Sequence, residues 1–282
     1  MSLIVNHLDY VYNPGTVFEK KAVSDVSFKI ENGEYIGLVG RTGSGKSTLV
    51  AHLNALLKPT GGAIYYDGVD IASEGYDLKK LRGKVGLVFQ YPEHQLFGED
   101  VFSDVCFGPK NLSLDRTEVE LRAYEALKAV GVKDKHFYMS PFDLSGGEKR
   151  RVAIAGVLAM KPEVLVLDEP CAGLDPRGRD EILSLADDLH DTMGITVIIV
   201  SHSMDDLAEH VQRILVMSES RLVMDGFARE VFSHREELEA MGLTVPSATA
   251  VLSDLRARGL NVRDDLITIE EAEKEILRVF GK

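Results

Sequence analysis

The sequence predicts an α/β chain: a parallel sheet covered by helices around a phosphate-binding loop, with a helical insertion and a small C-terminal α+β domain. Three observations carry this prediction. Short apolar runs bounded by turn residues alternate with amphipathic stretches, the pattern of buried parallel strands and the helices that cover them. Between one such run and one such stretch lies Gly40-Arg41-Thr42-Gly43-Ser44-Gly45-Lys46-Ser47, in which two glycines bracket four residues ahead of Lys-Ser. The composition, 45% hydrophobic and 27% charged over 282 residues, is that of a soluble globular protein larger than one usual domain.

The elements follow in order. Leu3 to Tyr12, Val26 to Ile30 and Tyr35 to Val39 read as strands, the last running straight into the glycine loop. Ser47 to Leu57 turns helical and stops before Pro59-Thr60-Gly61-Gly62. Strands are expected at Ala63 to Tyr66 and Val85 to Phe89. Residues 91 to 144 are turn-rich, with a helix over Thr117 to Val130 whose Val119, Ala123, Ala126, Leu127 and Val130 share one face. This stretch reads as a helical insertion within the core. A helix over Gly147 to Met160, a strand over Val164 to Leu167, a helix over Arg179 to Leu189 and a strand over Thr196 to Val200 then restore the alternation. Arg213 to Met217 and Arg221 to Met224 are the last strands, so a main unit spans 1–226. Residues 227–282 are charged and helical, with Ile269, Ala272, Ile276 and Val279 at helical spacing, and read as a small separate domain.

The loop at 40–47 has a direct physical reading. Its glycines let backbone N–H groups curl towards phosphate oxygens, and the helix that follows adds its positive N-terminal end. Lys46 would reach the β- and γ-phosphates of a nucleotide and the Ser47 hydroxyl would ligate Mg²⁺, with Arg41, Thr42, Ser44 and Thr48 alongside. Asp168 ends an almost uniformly apolar strand, where an unpaired carboxylate is costly to bury. A water-bridged Mg²⁺ is its natural counter-charge, and Glu169, one residue on, would orient and deprotonate an attacking water. His202 also follows a buried strand, at the end of a parallel sheet where ligand groups collect, and is expected to sense the γ-phosphate. Gln90, after the strand at 85–89, could reach Mg²⁺ or that water. A lone His or Gln says little, and both gain weight from their place in the series.

Leu144-Ser145-Gly146-Gly147-Glu148 opens a helix with a Ser hydroxyl and two glycines. A Ser-capped helix start explains it locally, yet it also makes a second anion-binding helix end in a chain with one phosphate-gripping lysine. Two such ends and one loop suggest that each nucleotide is completed by a neighbouring copy.

Charge and composition exclude several classes. A net charge of −13 argues against nucleic-acid binding by a general basic field and against simple docking to an anionic membrane. Lys149-Arg150-Arg151 is the densest local basic patch. Cys106 and Cys171 form no ligand or redox spacing, which favours reduced thiols in a cytoplasmic protein. No N-terminal targeting signal is expected. The longest clean apolar run, Val152 to Met160, is far shorter than the roughly 20 residues needed to cross a bilayer, so any membrane crossing falls to another subunit.

The ordered set of motifs resembles the ATP-binding cassette (ABC) ATPases over about residues 1 to 225. This resemblance implies an ABC-type nucleotide-binding domain that hydrolyses ATP with Mg²⁺ in a head-to-tail dimer. Each ATP would lie between one subunit's phosphate loop and the other's Ser145-Gly146-Gly147, and Asp175, in Ala172-Gly173-Leu174-Asp175, would lie on a loop crossing the interface. Tyr12 is the first candidate to stack on adenine and Phe18 the second. Phe89-Gln90-Tyr91-Pro92-Glu93-His94-Gln95-Leu96-Phe97 and Phe107-Gly108-Pro109-Lys110-Asn111 resemble the energy-coupling factor ATPases, which power vitamin and cobalt or nickel uptake in prokaryotes. Gly15-Thr16-Val17-Phe18-Glu19 and Lys149-Arg150-Arg151 are closer to the second of the two ATPases in those complexes. The implied partners are a second ATPase subunit, identical or not, a transmembrane scaffold whose coupling helices meet the region after Gln90, and a substrate-binding membrane subunit. The implied place is the cytoplasmic face of the membrane, with the C-terminal domain in dimer contact. The family's usual Gln after Ser-Gly-Gly is Glu148 here. The competing reading, an ABC ATPase of DNA repair or translation, is disfavoured by the acidic charge, the single phosphate loop and an insertion of about 54 residues rather than a long coiled coil.

Overall fold

In the computed structural model, which describes residues 2–281, the strands are β1 (Ser2–Tyr12), β2 (Lys20–Glu31), β3 (Tyr35–Val39), β4 (Gly61–Tyr66), β5 (Val69–Asp70), β6 (Val85–Val88), β7 (Val164–Asp168), β8 (Thr196–Val200), β9 (Arg213–Ser218) and β10 (Arg221–Phe227). The helices are α1 (Lys46–Leu53), α2 (Leu78–Lys84), α3 (Val101–Val105), α4 (Phe107–Asn111), α5 (Arg116–Ala129), α6 (Gly146–Leu158), α7 (Pro176–Met193), α8 (Met204–His210), α9 (Ala228–Ser233), α10 (Arg235–Ala240), α11 (Ser247–Ala257) and α12 (Ile269–Phe280).

The largely apolar strands β3, β7 and β8 are buried along their whole length because both faces of their sheet are covered. The central sheet has the order β10-β9-β3-β8-β7-β6, parallel from β9 to β6, with β10 returning antiparallel at the edge. Alternate residues point to opposite sides. Ile36, Leu38, Val164, Val166, Ile198 and Val200 join Leu49, Val50 and Leu53 of α1 in a core shared with β1, β2 and β4. Leu165, Leu167, Val197 and Ile199 belong instead to the core with the helices α3 and α5 to α9. The first of these covers is a separate antiparallel sheet, order β2-β1-β4-β5. It was legible in the sequence as strands but not as a second sheet.

Helix ends follow local chemistry. Asp115 accepts from Glu118 N at 3.1 Å to start α5, and Asp175 accepts from Gly178 N at 2.7 Å to start α7, with Pro176 in the first turn. The helix predicted over Ser47 to Leu57 ends earlier, at Leu53. Ala55 takes a left-handed φ of 52°, and the N–H groups of Leu56 and Leu57 both close back on Ala51 O.

Residues 228–281 contain no strand among the described residues, so the α+β expectation for this part gives way to an all-helical unit. The stretch 260–267 finds no sheet edge to pair with. Val262 and Leu266 are buried with Ala248, Leu252 and Ala272 in a small core of their own. Phe232 and Leu238, on α9 and α10, pack into the core of the main unit. Asp205 at the start of α8 accepts from Ser247 N at 2.7 Å and Ser247 Oγ at 2.9 Å. The unit also reaches the glycine loop, since a Cβ on Gly242 would sit 2.9 Å from Arg41 Cδ.

Candidate active site

The glycine loop joins β3 to α1 and needs glycine where the chain is closest packed. A Cβ on Gly40 would stand 2.3 Å from Met217 O, and one on Gly45 2.2 Å from Ala22 O, at φ values of 152° and 105°. Gly45 is the N-cap of α1 and supplies no side-chain cap, which leaves the first N–H groups of that helix for a ligand. Lys46 is buried, and its Nζ donates to Gly40 O at 2.5 Å and Arg41 O at 3.3 Å. Burial pushes its pKa down, opposed by the nearby Glu169 and Asp168.

Around this loop opens a cleft of ≈ 530 Å³. The structure brings Thr42, Gly43, Gly45, Lys46, Ser47, Thr48, Gln90, Asp168, Glu169 and His202 to its walls, with Tyr12 and Phe18 at one side. The parallel register explains the convergence: β7 and β8 lie side by side, with Asp168 opposite Val200, so Glu169 and His202 emerge together. Glu169 N donates to Val200 O at 2.9 Å, and Glu169 Oε1 lies 2.9 Å from His202 Nε2. Glu169 holds a left-handed φ of 51°, unusual for a residue with a side chain.

The electrostatics are those of a site built for a cationic ligand and a proton transfer. Asp168 is buried, and desolvation raises its pKa although Ser47 hydrogen bonds to it and Lys46 is near. Glu169 is raised further, to about 7, by burial first and then by the charge of Asp168. The pKa of His202 is lowered, by burial and then by Lys46. Ser44 Oγ is buried without a partner among the described residues, an unusual loss that a phosphate oxygen would make good. A hydroxyl and a carboxylate in contact, Ser47 and Asp168, are hard oxygen donors of the kind Mg²⁺ takes beside phosphates. The residues therefore fit both groups.

Tyr12, half-exposed, is braced edge-on by Tyr10 at 4.8 Å between ring centroids, and its hydroxyl lies 3.2 Å from Thr48 Oγ1. Phe18 is 77% exposed and lies farther out. Sequence reasoning passed over Lys20, which also lines the cleft. It arrives there because the β1–β2 pairing sets Tyr12 opposite Lys20, and no local signal announces that pairing.

The segment 144–148 contributes nothing to the walls of this cleft. Ser145 caps α6 in a reciprocal arrangement: its Oγ and N donate to Glu148 Oε2 at 2.6 and 3.0 Å, and Glu148 N returns a bond to Ser145 Oγ at 3.4 Å. These bonds to Ser145 hold the Glu148 carboxyl below its ordinary pKa. Leu144 is buried beneath it. The basic patch read at Lys149-Arg150-Arg151 is not a surface patch. Arg150 is 1% exposed and paired with Glu93, and Arg151 bonds to Glu181 at 2.8 Å, because α6 turns these side chains onto the turn at 92–95 and onto α7.

A glycine loop, a strand-end acid pair, a histidine just past the end of the neighbouring strand and a capped glycine helix outside the walls of its own cleft together define a P-loop ATPase of the cassette type. The ABC transporter family model matches residues 23–172. An energy-coupling factor transporter ATP-binding protein EcfA2 of Symbiobacterium thermophilum is 53% identical over 281 residues, 100% of this chain and 97% of that protein. The EcfA2 protein of Clostridium tetani is 50% identical over 282 residues, 100% of this chain and 98% of its own length. The solved cbiO1 of Clostridium perfringens, described as part of the ABC transporter complex cbiONQ, is 40% identical with a TM-score of 0.74, covering 84% of this chain and 93% of that one. The cassette MJ0796, solved as a dimer in a post-hydrolysis state bound to ADP and Pi, is 28% identical with a TM-score of 0.71, covering 80% and 98%. The chain belongs to the ABC transporter family and, within it, to the ATP-binding proteins of energy-coupling factor transporters. Its activity is ATP hydrolysis coupled to transport.

Proposed function

We propose that Glu169 is the general base of this ATPase, and that the chain works as one half of an ATPase pair beneath a membrane scaffold. The observation that carries the reading is the position of Glu169: its pKa stands near 7, it lies 2.9 Å from His202, and it shares the cleft with Lys46. A carboxylate tuned towards neutrality can take a proton from water at physiological pH. Lys46 and the N–H groups of α1 bind the phosphates and disperse their charge, while Gln90 and His202 orient the water and the γ-phosphate. Tyr12 stacks on the base, with Phe18 as the alternative. Ser47, Gln90 and Asp168 would hold Mg²⁺, which would supply charge neutralisation at the phosphates.

Because Ser145, Gly146 and Gly147 do not line the cleft of their own chain, they serve the nucleotide of a partner ATPase, and Asp175 lies on the loop beside that interface. The partner is a second cassette, identical or not, to which the C-terminal unit 227–282 contributes contact. The membrane partner docks on the insertion. There Phe97 and Phe107 are exposed, meet edge to face at 4.9 Å, and open a largely apolar groove of ≈ 510 Å³ with Leu96, Leu112, Ala153 and Met160. Such a groove suits one apolar face of a short amphipathic helix. Among the described residues no helix is long and apolar enough to cross a membrane; in this reading the partner does the crossing and the chain sits peripherally on the cytoplasmic side. The cargo is a vitamin or a transition-metal ion chosen by a further membrane subunit.

The test is recovery of the protein from its native membrane and identification of what comes with it. A second ATPase, a shared scaffold and a substrate-binding membrane subunit are expected. Recovery with nucleic acid or ribosomes, and without membrane proteins, would overturn the reading in favour of a repair or translation ATPase.

A further inference from the structure

Arg150 is among the largest fully buried side chains of the molecule, and it is a cation. Its Nε and Nη2 donate to the two carboxylate oxygens of Glu93 at 3.1 and 2.7 Å, and its Nη1 donates to Pro170 O at 2.8 Å and Ala172 O at 3.0 Å. Burial, the largest single effect, pushes the Glu93 carboxyl up, but the Arg150 bonds, a backbone hydrogen bond and the Arg150 charge together hold the pKa below the ordinary value. A buried guanidinium with a forked carboxylate partner and two carbonyl acceptors is satisfied, and losing one partner would leave an uncompensated charge.

The three pieces tied by this one side chain are those the reaction must coordinate. Arg150 stands on α6, five residues from Ser145 of the signature segment. Glu93 stands three residues after Gln90, on the short 3-10 turn Pro92–Gln95 that leads into Leu96 and Phe97 of the apolar groove. Pro170 and Ala172 lie on the loop between Glu169 and Asp175. A second contact reinforces the tie: Tyr91 stacks on His94 at 5.8 Å, and its Cε1 would meet a Cβ on Gly173 at 3.5 Å. Packed elements of this kind shift as units rather than bending continuously.

We propose that Arg150 is a positioning residue that couples the membrane-docking groove to hydrolysis, by locking the turn carrying Glu93 to the loop that follows Glu169. Movement of the groove segment, on docking or release of the membrane partner, is carried through the Glu93–Arg150 fork to Pro170, one residue from Glu169. Lysine cannot replace it, having neither the fork for the carboxylate nor donors enough in fixed directions for the two carbonyls. The inference rests on the proposed docking site and on Glu169 as base, so the experiment carries a control for each.

The experiment compares wild type, Glu93→Gln, Arg150→Lys and Glu169→Gln in the complete membrane complex and as the detached ATPase. It reads ATP affinity, turnover in both settings and thermal stability. Glu93→Gln keeps the shape of the turn and is expected to hold ATP affinity and KM within about twofold, while the ratio of complex-stimulated to detached turnover falls about fivefold or more. Arg150→Lys should act in the same direction; if it fails to fold, Glu93→Gln decides alone. Wild-type stimulation in a folded Glu93→Gln complex would overturn the coupling role. An equal loss of turnover in both settings would overturn it too, since that is what a merely structural fault produces. The underlying reading fails separately: full hydrolysis by Glu169→Gln, or a wild-type complex that gives no stimulation over the detached chain, would remove the base or the docking site rather than the link.

Discussion

Replacing Glu169 by Gln changes one atom type and removes one titration, and the structure fixes the size and sign of the result. The carboxyl pKa is raised from an ordinary 4.5 to about 7, chiefly by burial and next by the charge of Asp168. Between those values the folded protein keeps a proton that the unfolded chain has lost, so stability falls as pH rises through this window. Above pH 7 the ionised folded form carries the whole penalty, about 3 kcal/mol for a shift of this size, and somewhat less because the side chain retains 17% exposure. Glutamine has the same shape and no charge. In the absence of nucleotide and Mg²⁺, Glu169→Gln should therefore melt about 4–8 °C above wild type at pH 8, by the usual conversion for a chain of this size. The gap should close as the pH approaches 4.5, where both proteins are neutral at this position. Thermal melts across pH 4.5 to 8 measure it, and titrating groups remote from the Glu169, Asp168 and His202 cluster cancel in the difference. In the same protein, hydrolysis should drop by about 10²–10⁴ with ATP binding retained. A melting difference that does not vary with pH, or a variant less stable than wild type at pH 8, would show that Glu169 is not held near neutrality by its surroundings.

Three further outcomes follow from the site. The wild-type kcat/KM, which reports the free enzyme, should fall about tenfold between pH 8 and pH 6, as the base form of Glu169 is lost on protonation near pH 7; a steady-state profile checks it, and a flat profile would remove Glu169 as the titrating group. Lys46→Ala removes the buried ammonium beside the loop and should weaken ATP binding by about tenfold or more while leaving the fold intact, as read by equilibrium titration and circular dichroism. Glu148→Ala opens the reciprocal cap on Ser145 and should cost about 1 kcal/mol in chemical denaturation, whereas Glu148→Gln, which can still accept from Ser145, should lose much less.

Part of the site was legible because its parts are local. The loop from Gly40 to Ser47 is one continuous backbone conformation, and its glycines answer to contacts within a single strand, loop and helix unit. The short apolar runs at 35–39, 164–167 and 196–200, bounded by turn residues, read as strands buried on two faces, and an acid or histidine just past such a run is conspicuous. The Ser145 cap is likewise written in four consecutive residues. The stop of α1 at Leu53 was missed because it depends on the φ of Ala55 and on Asn54 reaching Val85 O, a strand away.

By itself, then, the sequence determined what short-range physics determines: which segments are helix or strand, where the phosphate loop lies, and which charged residues end buried strands. Tertiary structure decided what depends on distant neighbours. The register of β7 beside β8 set Glu169 against His202, and the β1–β2 pairing carried Lys20 to the cleft beside Tyr12. The environment of each charge was also decided there. Lys149-Arg150-Arg151 reads as three solvated cations, yet Arg150 is sealed between the turn at Glu93 and the loop after Glu169. The cost of burying a charge depends on the partners that the fold brings to it, and those partners lie 57 and about 20 residues away along the chain.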